Sequence, residues 1–99
     1  MDNDAERIYT FLGFAQKAGK LVSGENTVEA KAKERSAKLL LVAEDAPSHT
    51  KERMAGIAQR FHVQYAEFGE KNRIGQSIGK SPRNVLLILD KEFAEQIIK

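Results

Sequence analysis

Apolar positions along this chain fall into two patterns, helical spacing in some stretches and unbroken runs in others. Ile8, Phe11, Leu12 and Ala15 recur three to four apart and predict a helix that is capped at Asn3 or Asp4 and runs to about Ala18. Gly19 is placed to end it, as a residue that tolerates positive φ. Leu21-Val22 reads as a strand of two or three residues, and Ser23-Gly24 leads into a second helix from about Glu25 to Arg35. Lys38 is followed by Leu39-Leu40-Leu41-Val42-Ala43, a continuous run that predicts a central strand covered on both faces. Glu44-Asp45-Ala46-Pro47 breaks that run, and Ser48, with Glu52 nearby, is the predicted cap of a third helix. This helix should reach about Arg60 and bury Met54, Ile57, Ala58 and Phe61. A short strand over Val63 to Ala66 precedes a fourth helix from about Glu70 to Ile78, with Ile74 and Ile78 four apart. Gly79-Lys80-Ser81-Pro82 is a turn, and Val85 to Leu89 is the second strong buried strand. Asp90 then caps a terminal helix that presents Phe93, Ala94 and Ile97.

Strands alternating with helices predict an α/β chain, one sheet between helical layers. No internal repeat, low-complexity tract or linker divides it, and both Pro residues fall in predicted loops. Its 99 residues fit one domain, 1–99. A composition 41% hydrophobic and 30% charged belongs to soluble globular proteins rather than disordered ones. No stretch has the apolar length of a membrane span, and the acidic Met-Asp-Asn-Asp start lacks a secretory pattern. With no Cys, disulfides, a thiol nucleophile and thiolate metal sites are excluded. A cytoplasmic domain is the expectation.

Sixteen Lys and Arg against fourteen Asp and Glu leave a net charge of +2, too small to identify a partner. The distribution is more informative. Lys71, Arg73, Lys80 and Arg83 occur with no acid between Lys71 and Arg83, and Lys31, Lys33, Arg35 and Lys38 surround only Glu34. Acids gather instead at the N-terminus, at Glu44-Asp45 and near Asp90-Glu92-Glu95. Such separation predicts a molecule with a basic side.

Candidate chemistry narrows the field further. Gly13 to Gly19-Lys20 has five intervening residues where a nucleotide-binding loop needs four, and Leu21 stands where that loop needs Ser or Thr. Gly75 to Gly79-Lys80-Ser81 has only three intervening residues. That spacing decides which backbone N–H groups converge on phosphate, so both miss. His49 and His62 lack an evident nucleophile partner or a converging third metal ligand, and read as surface residues. Adjacent Glu44 and Asp45 point apart and read as loop and capping residues. No catalytic residue, metal site or cofactor is expected.

Ser23-Gly24-Glu25-Asn26-Thr27 is more informative, because it opens a helix whose unpaired N–H groups can meet phosphate or a base edge. Gly24 permits close approach, and the Asn26 amide can both donate and accept. Lys17 and Lys20 precede this opening, while Lys31 and Arg35 would line the helix one turn apart. The turn Gly79-Lys80-Ser81-Pro82-Arg83 is a second basic segment, and two such loops on one edge would make a nucleic-acid footprint. An ordinary cap, a solvated basic face and a solubilising loop are the plainer alternatives. Aromatic residues are scarce in these segments, so stacking of bases on a sheet is not indicated.

Leu12-Gly13-Phe14-Ala15-Gln16-Lys17-Ala18-Gly19-Lys20-Leu21-Val22-Ser23-Gly24, then Leu39 to Asp45, then Ile74-Gly75-Gln76-Ser77-Ile78-Gly79, stand in a characteristic order. In that order they resemble the ribosomal-protein family of kink-turn RNA binders, the L-seven-Ae and L-thirty-e group, and its small bacterial members above all. The resemblance covers about Ile8 to Ile97. It implies a three-layer α-β-α sandwich with a mixed four-stranded sheet. It also implies binding to a sharply bent RNA with tandem sheared G·A pairs, the ribosome being one setting for it. Carried over residue by residue, Gly24 and Asn26 match the helix opening that enters the RNA groove, Lys20 matches a base ahead of it, and Gly79 marks the start of the second RNA-contacting loop.

Three departures modify that pattern. Thr27 replaces a longer Glu or Gln, and Ala30 stands where the family has Lys, with Lys31 about 100° further around the helix. Lys80-Ser81-Pro82-Arg83 replaces an apolar loop tip. These changes move the balance from base edges towards phosphates. The expected site is therefore Lys20, Gly24, Glu25, Asn26, Thr27, Lys31, Arg35, Gly79, Lys80, Ser81 and Arg83, with structured RNA as partner and no membrane or small-molecule cofactor. A protein-interaction module of a ribosome or transcription complex, using the acidic edge at Asp90-Glu92-Glu95, is the alternative.

Overall fold

A computed structural model describes residues 3–98 of the chain, and the side chains of 4–98. In chain order these residues form α1 (Asn3–Lys17), β1 (Leu21–Ser23), α2 (Glu25–Lys31), β2 (Leu39–Val42), α3 (Ser48–Phe61), β3 (Gln64–Glu67), α4 (Lys71–Ser77), β4 (Val85–Ile88) and α5 (Lys91–Ile98). The two runs without a polar residue become the two central strands. All four residues of β2 and all four of β4 are buried, each contributing about 1.5–3 kcal/mol of hydrophobic stabilisation. The sheet order is β1-β4-β2-β3. β4 runs antiparallel to both neighbours, with Leu21 opposite Ile88 and Val42 opposite Val85, while β2 and β3 are parallel. This is the mixed four-stranded sheet expected.

Helices cover both faces. α1 packs on α4, α5 and β1, whereas α2 lies against β1, β4 and α3, and α3 against β2 and β3. One continuous core results, filled by Leu12, Val28, Leu39–Val42, Met54, Ile74 and Val85–Ile88. Tyr9 fastens α1 to the segment before α4. Its hydroxyl accepts the Glu70 N–H at 3.2 Å, its ring lies 4.8 Å from that of Phe68, and the Arg73 guanidinium sits 4.3 Å above it.

Several expected boundaries move. α2 ends at Lys31, not Arg35. Lys33, Glu34, Arg35 and Ser36 are all exposed, so a longer helix would have no apolar stripe to bury, and its packing would not offset the entropy of ordering it. Short-range turns take over instead, Glu34 N–H to Lys31 O and Ala37 N–H to Glu34 O at 3.0 and 3.1 Å. Ser48 is not the cap of α3 but its first residue; Pro47 holds the cap position, with φ −59° fitting a chain entering a helix. Asp4 likewise lies inside the first turn of α1, and the side chain of Asn3 is outside the described residues. Asp90 does cap α5, accepting the Phe93 N–H at 3.0 Å. Asp45 caps α4 across the fold by accepting the Lys71 N–H at 3.0 Å.

The segment after α4 turns back along that helix. Lys80 N–H bonds Gly75 O at 2.8 Å, and Arg83 N–H bonds Lys71 O at 3.1 Å. Gly75 makes this return possible, because a Cβ there would collide with the carbonyl of Ser81 and come within 2.9 Å of the Pro82 Cα. Gly75→Ala should therefore destabilise the protein by about 1–3 kcal/mol through overpacking, measurable by urea unfolding; an unchanged midpoint would mean that the return loop yields freely. At the other extreme, His62 follows α3 in the left-handed region at φ 59°. His62→Gly should stabilise by about 0.5–1 kcal/mol, seen as a rise of a few degrees in Tm.

Candidate nucleic-acid interface

β1 and β4 pair so that the end of one meets the beginning of the other. Gly24, just past β1, donates its N–H to Val85 O at 3.0 Å, extending the β1–β4 ladder that brings together two segments about sixty residues apart. Ser23, Gly24 and Glu25 form one wall of a cleft of about 320 Å³, and Pro82, Arg83, Asn84 and Val85 form the other. The juxtaposition of two loops predicted from the basic segments is thus present, although in a modified form.

Gly24 has φ 95° and ψ 144°, a region that costs a residue with a side chain about 1–3 kcal/mol. Nothing lies within 4 Å of where a Cβ would stand, so the glycine answers to backbone conformation and leaves the space in front of it open. No side chain caps α2. Asn26 and Thr27 are exposed on its first turn, with Ala30 one turn further along.

Glu25 faces elsewhere. Its carboxylate accepts from Arg53 at 2.6 Å and from the buried Thr50 hydroxyl at 3.3 Å, while Arg53 also pairs with Glu29. The hydrogen bond that Arg53 donates to Glu25 is the main cause that raises the Arg53 pKa above its ordinary value, ahead of the opposing effect of desolvation. Glu25 therefore joins α2 to α3 and has little capacity left for a ligand.

Arg83 is half-buried and holds its own loop. Its guanidinium donates to Ser23 Oγ at 3.1 Å and Ser81 Oγ at 2.6 Å, with longer bonds to the Ser81 and Pro82 carbonyls at 3.3 Å. Ser81 is consumed in the same network. The bond to Ser23 spans the cleft, while the others brace the return loop on its own side.

The remaining cations are spread out. Lys20 stands at the far end of β1, where its carbonyl accepts the Leu89 N–H at 2.8 Å, about 13 Å of strand from Gly24. Lys31 closes α2 and pairs with Glu34 at 3.6 Å. Arg35, expected one helical turn beyond Lys31, belongs instead to the turn after α2. Lys80 is exposed beside Gly79, and neither Lys20 nor Lys80 makes an ion pair among the described residues.

Asn84 was not among the predicted site residues. It borders the cleft, and its side-chain Oδ1 is buried without a hydrogen-bond partner among the described residues. An orphaned acceptor of this kind costs about 1–3 kcal/mol, and native proteins hold few of them. The signal in the sequence is one polar residue set between a basic turn and an all-apolar strand, informative only once Gly24 is known to lie opposite. Among the described residues no three His, Asp or Glu side chains gather as a metal site would require, and no helix is long and apolar enough to cross a membrane.

Comparison with known proteins agrees with this architecture. The model of the Ribosomal protein L7Ae/L30e/S12e/Gadd45 family matches residues 6–98. RNA-binding protein YlxQ of Bacillus subtilis (strain 168) is 36% identical over 90 residues, covering 91% of this chain and 90% of the relative. RNA-binding protein YlxQ of Enterococcus faecium is 33% identical over 95 residues, covering 96% and 91%. A protein with unknown function from Bacillus halodurans superposes with a TM-score of 0.86 at 26% identity, covering 94% of this chain and 98% of that one. The Giardia lamblia 15.5kD RNA binding protein superposes with a TM-score of 0.79 at 18% identity, over 99% and 92%, a likeness of fold alone. With a family match along nearly its whole length and relatives above 30% identity, the chain belongs to the Ribosomal protein L7Ae/L30e/S12e/Gadd45 family.

Proposed function

We propose that this chain is a non-catalytic RNA-binding protein of the cytoplasm that recognises a bent, kink-turn-like RNA through the cleft between Gly24 and Asn84. The observation that carries this function is the meeting of an open glycine backbone and the unpartnered Asn84 Oδ1 across one cleft, with exposed Asn26 two residues after Gly24 and exposed Lys80 two residues before Pro82. The family and the names of the two bacterial relatives support the partner class. In this assignment Gly24 admits the nucleic-acid backbone, Asn26 and Asn84 meet base edges or ribose hydroxyls, and Lys80 neutralises phosphate. Arg83, Ser81 and Glu25 act as positioning residues that shape the cleft, while Thr27, Lys31, Lys20 and Arg35 are peripheral to it.

Titration of a kink-turn RNA against a duplex whose sheared G·A pairs are replaced by Watson–Crick pairs tests this directly. The bent RNA should bind at least tenfold tighter, about 1.4 kcal/mol. Asn26→Ala should shrink that preference several-fold. Lys80→Ala should weaken both RNAs about equally and lower the salt slope by about one. Equal, steeply salt-dependent binding would leave a generic phosphate binder, and binding to neither RNA would favour the protein-interaction alternative.

Asn84→Ala separates function from stability. Removing an orphaned acceptor should leave Tm unchanged or raise it, yet weaken the bent RNA several-fold. Lower Tm together with unaltered RNA affinity would assign Asn84 to the fold alone.

A further inference from the structure

A second concave surface lies on the other side of the return loop, between α1 and α4. It measures about 420 Å³, within the range of ligand clefts, and includes Gly13, Phe14, Lys17, Ser77, Ile78 and Gly79. Phe14 is 51% exposed, and with Ile98 it is one of two large apolar side chains so open among the described residues. Its ring is held in place by Phe11, whose centroid is 6.0 Å away in an edge-on arrangement at 84°. The groove floor exists because α1 and α4 come very close; a Cβ on Gly13 would stand 2.9 Å from Ser77 O.

Charge identifies the occupant. No carboxylate lines this groove, and Lys17 is its one charged residue. The other apolar groove on α1, between Phe11 and Phe93, includes Glu92 and Glu95 and would repel a polyanion. Lys80 follows Gly79 directly, so a chain of phosphates leaving the Gly24–Asn84 cleft along the return loop would pass Lys80 before reaching Phe14. The seven residues of α4 set that journey at about 10 Å, a distance one or two extended nucleotides cover.

Resting on the RNA-binding function proposed above, we propose that the Phe14 groove takes an unstacked base of a single-stranded RNA segment that continues from the bent element. The base would lie on the Phe14 ring, as bases do on aromatic platforms, with Lys17 and Lys80 on the flanking phosphates. The geometry assigns a stacking site on a helix, outside the sheet and outside the basic motifs, where the chain pattern gave no sign of one.

The chain contains no Trp, so Phe14→Trp supplies a single indole reporter at the groove. RNA binding would be followed by anisotropy of a labelled kink-turn RNA carrying a single-stranded adenosine-uridine extension, and indole emission would be recorded in the same titration. Emission should fall by half or more along the same curve as the anisotropy, and the fall should disappear when the extension is removed. Phe14→Ala should bind the extended RNA about tenfold more weakly, about 1.4 kcal/mol, with no change in affinity for the RNA lacking the extension. Circular dichroism of both variants should match that of the parent, since the side chain is exposed. Anisotropy that rises without a change in emission overturns the groove but not RNA binding. If the bent RNA fails to bind, the free adenosine-uridine oligonucleotide decides: quenching by it upholds the groove and sinks the kink-turn function, and no quenching sinks both.

Discussion

A strand buried on both faces must find every hydrogen-bond partner within the sheet, and β4 meets this constraint by standing between β1 and β2. The geometry of the candidate cleft depends on the β1 side of that placement. Because β1 and β4 are antiparallel, the residue after β1 is held against the residue that starts β4, and a glycine backbone from one half of the chain faces an asparagine from the other. Breaking the pairing of β4 with β1 would separate Gly24 from Asn84 and dissolve the cleft, whatever the residues in either loop. Sheet order thus does the work that a disulfide does in smaller secreted domains, fixing two distant loops relative to each other without any covalent link.

The apolar runs made most of the fold legible in the chain. The runs Leu39–Ala43 and Val85–Leu89 read as buried strands and contain the two central ones, and Asp90 before Phe93 marked a helix start that the Asp90 carboxylate indeed caps. The end of α2 was illegible because Lys33–Ser36 contain no Gly or Pro; what stops the helix is the lack of anything to pack on, a property of the neighbouring elements. The same reason explains why Ser48 misled as a cap. It has the right chemistry, but Pro47 had already set the backbone direction.

Of the candidate site, the two adjoining loops were legible, and the internal commitments of their side chains were not. Basic side chains near one another in sequence invited grouping, yet β1 carries Lys20 to the opposite end of the sheet, and Arg83 is spent on Ser23 and Ser81. Glu25 looked available until α3 presented Arg53 and Thr50 to it. Charge in a sequence records supply; demand from inside the protein becomes visible only with tertiary contacts. Side chains already committed to internal bonds also bring a benefit, since a loop held by its own arginine loses less freedom when it meets a partner.

Lys71 illustrates a different kind of commitment. Its N–H is held by Asp45 and its carbonyl by the N–H of Arg83, so its two flanking peptide groups tie the β2–α3 turn to the return loop while its side chain reaches solvent. Any residue with a free N–H could stand there, and only proline would cut the tie. Drift in lineage after lineage could replace the lysine without loosening the joint. Such a position is mechanically indispensable and yet nearly silent about it in residue identity, because the information that secures it is written in its neighbours.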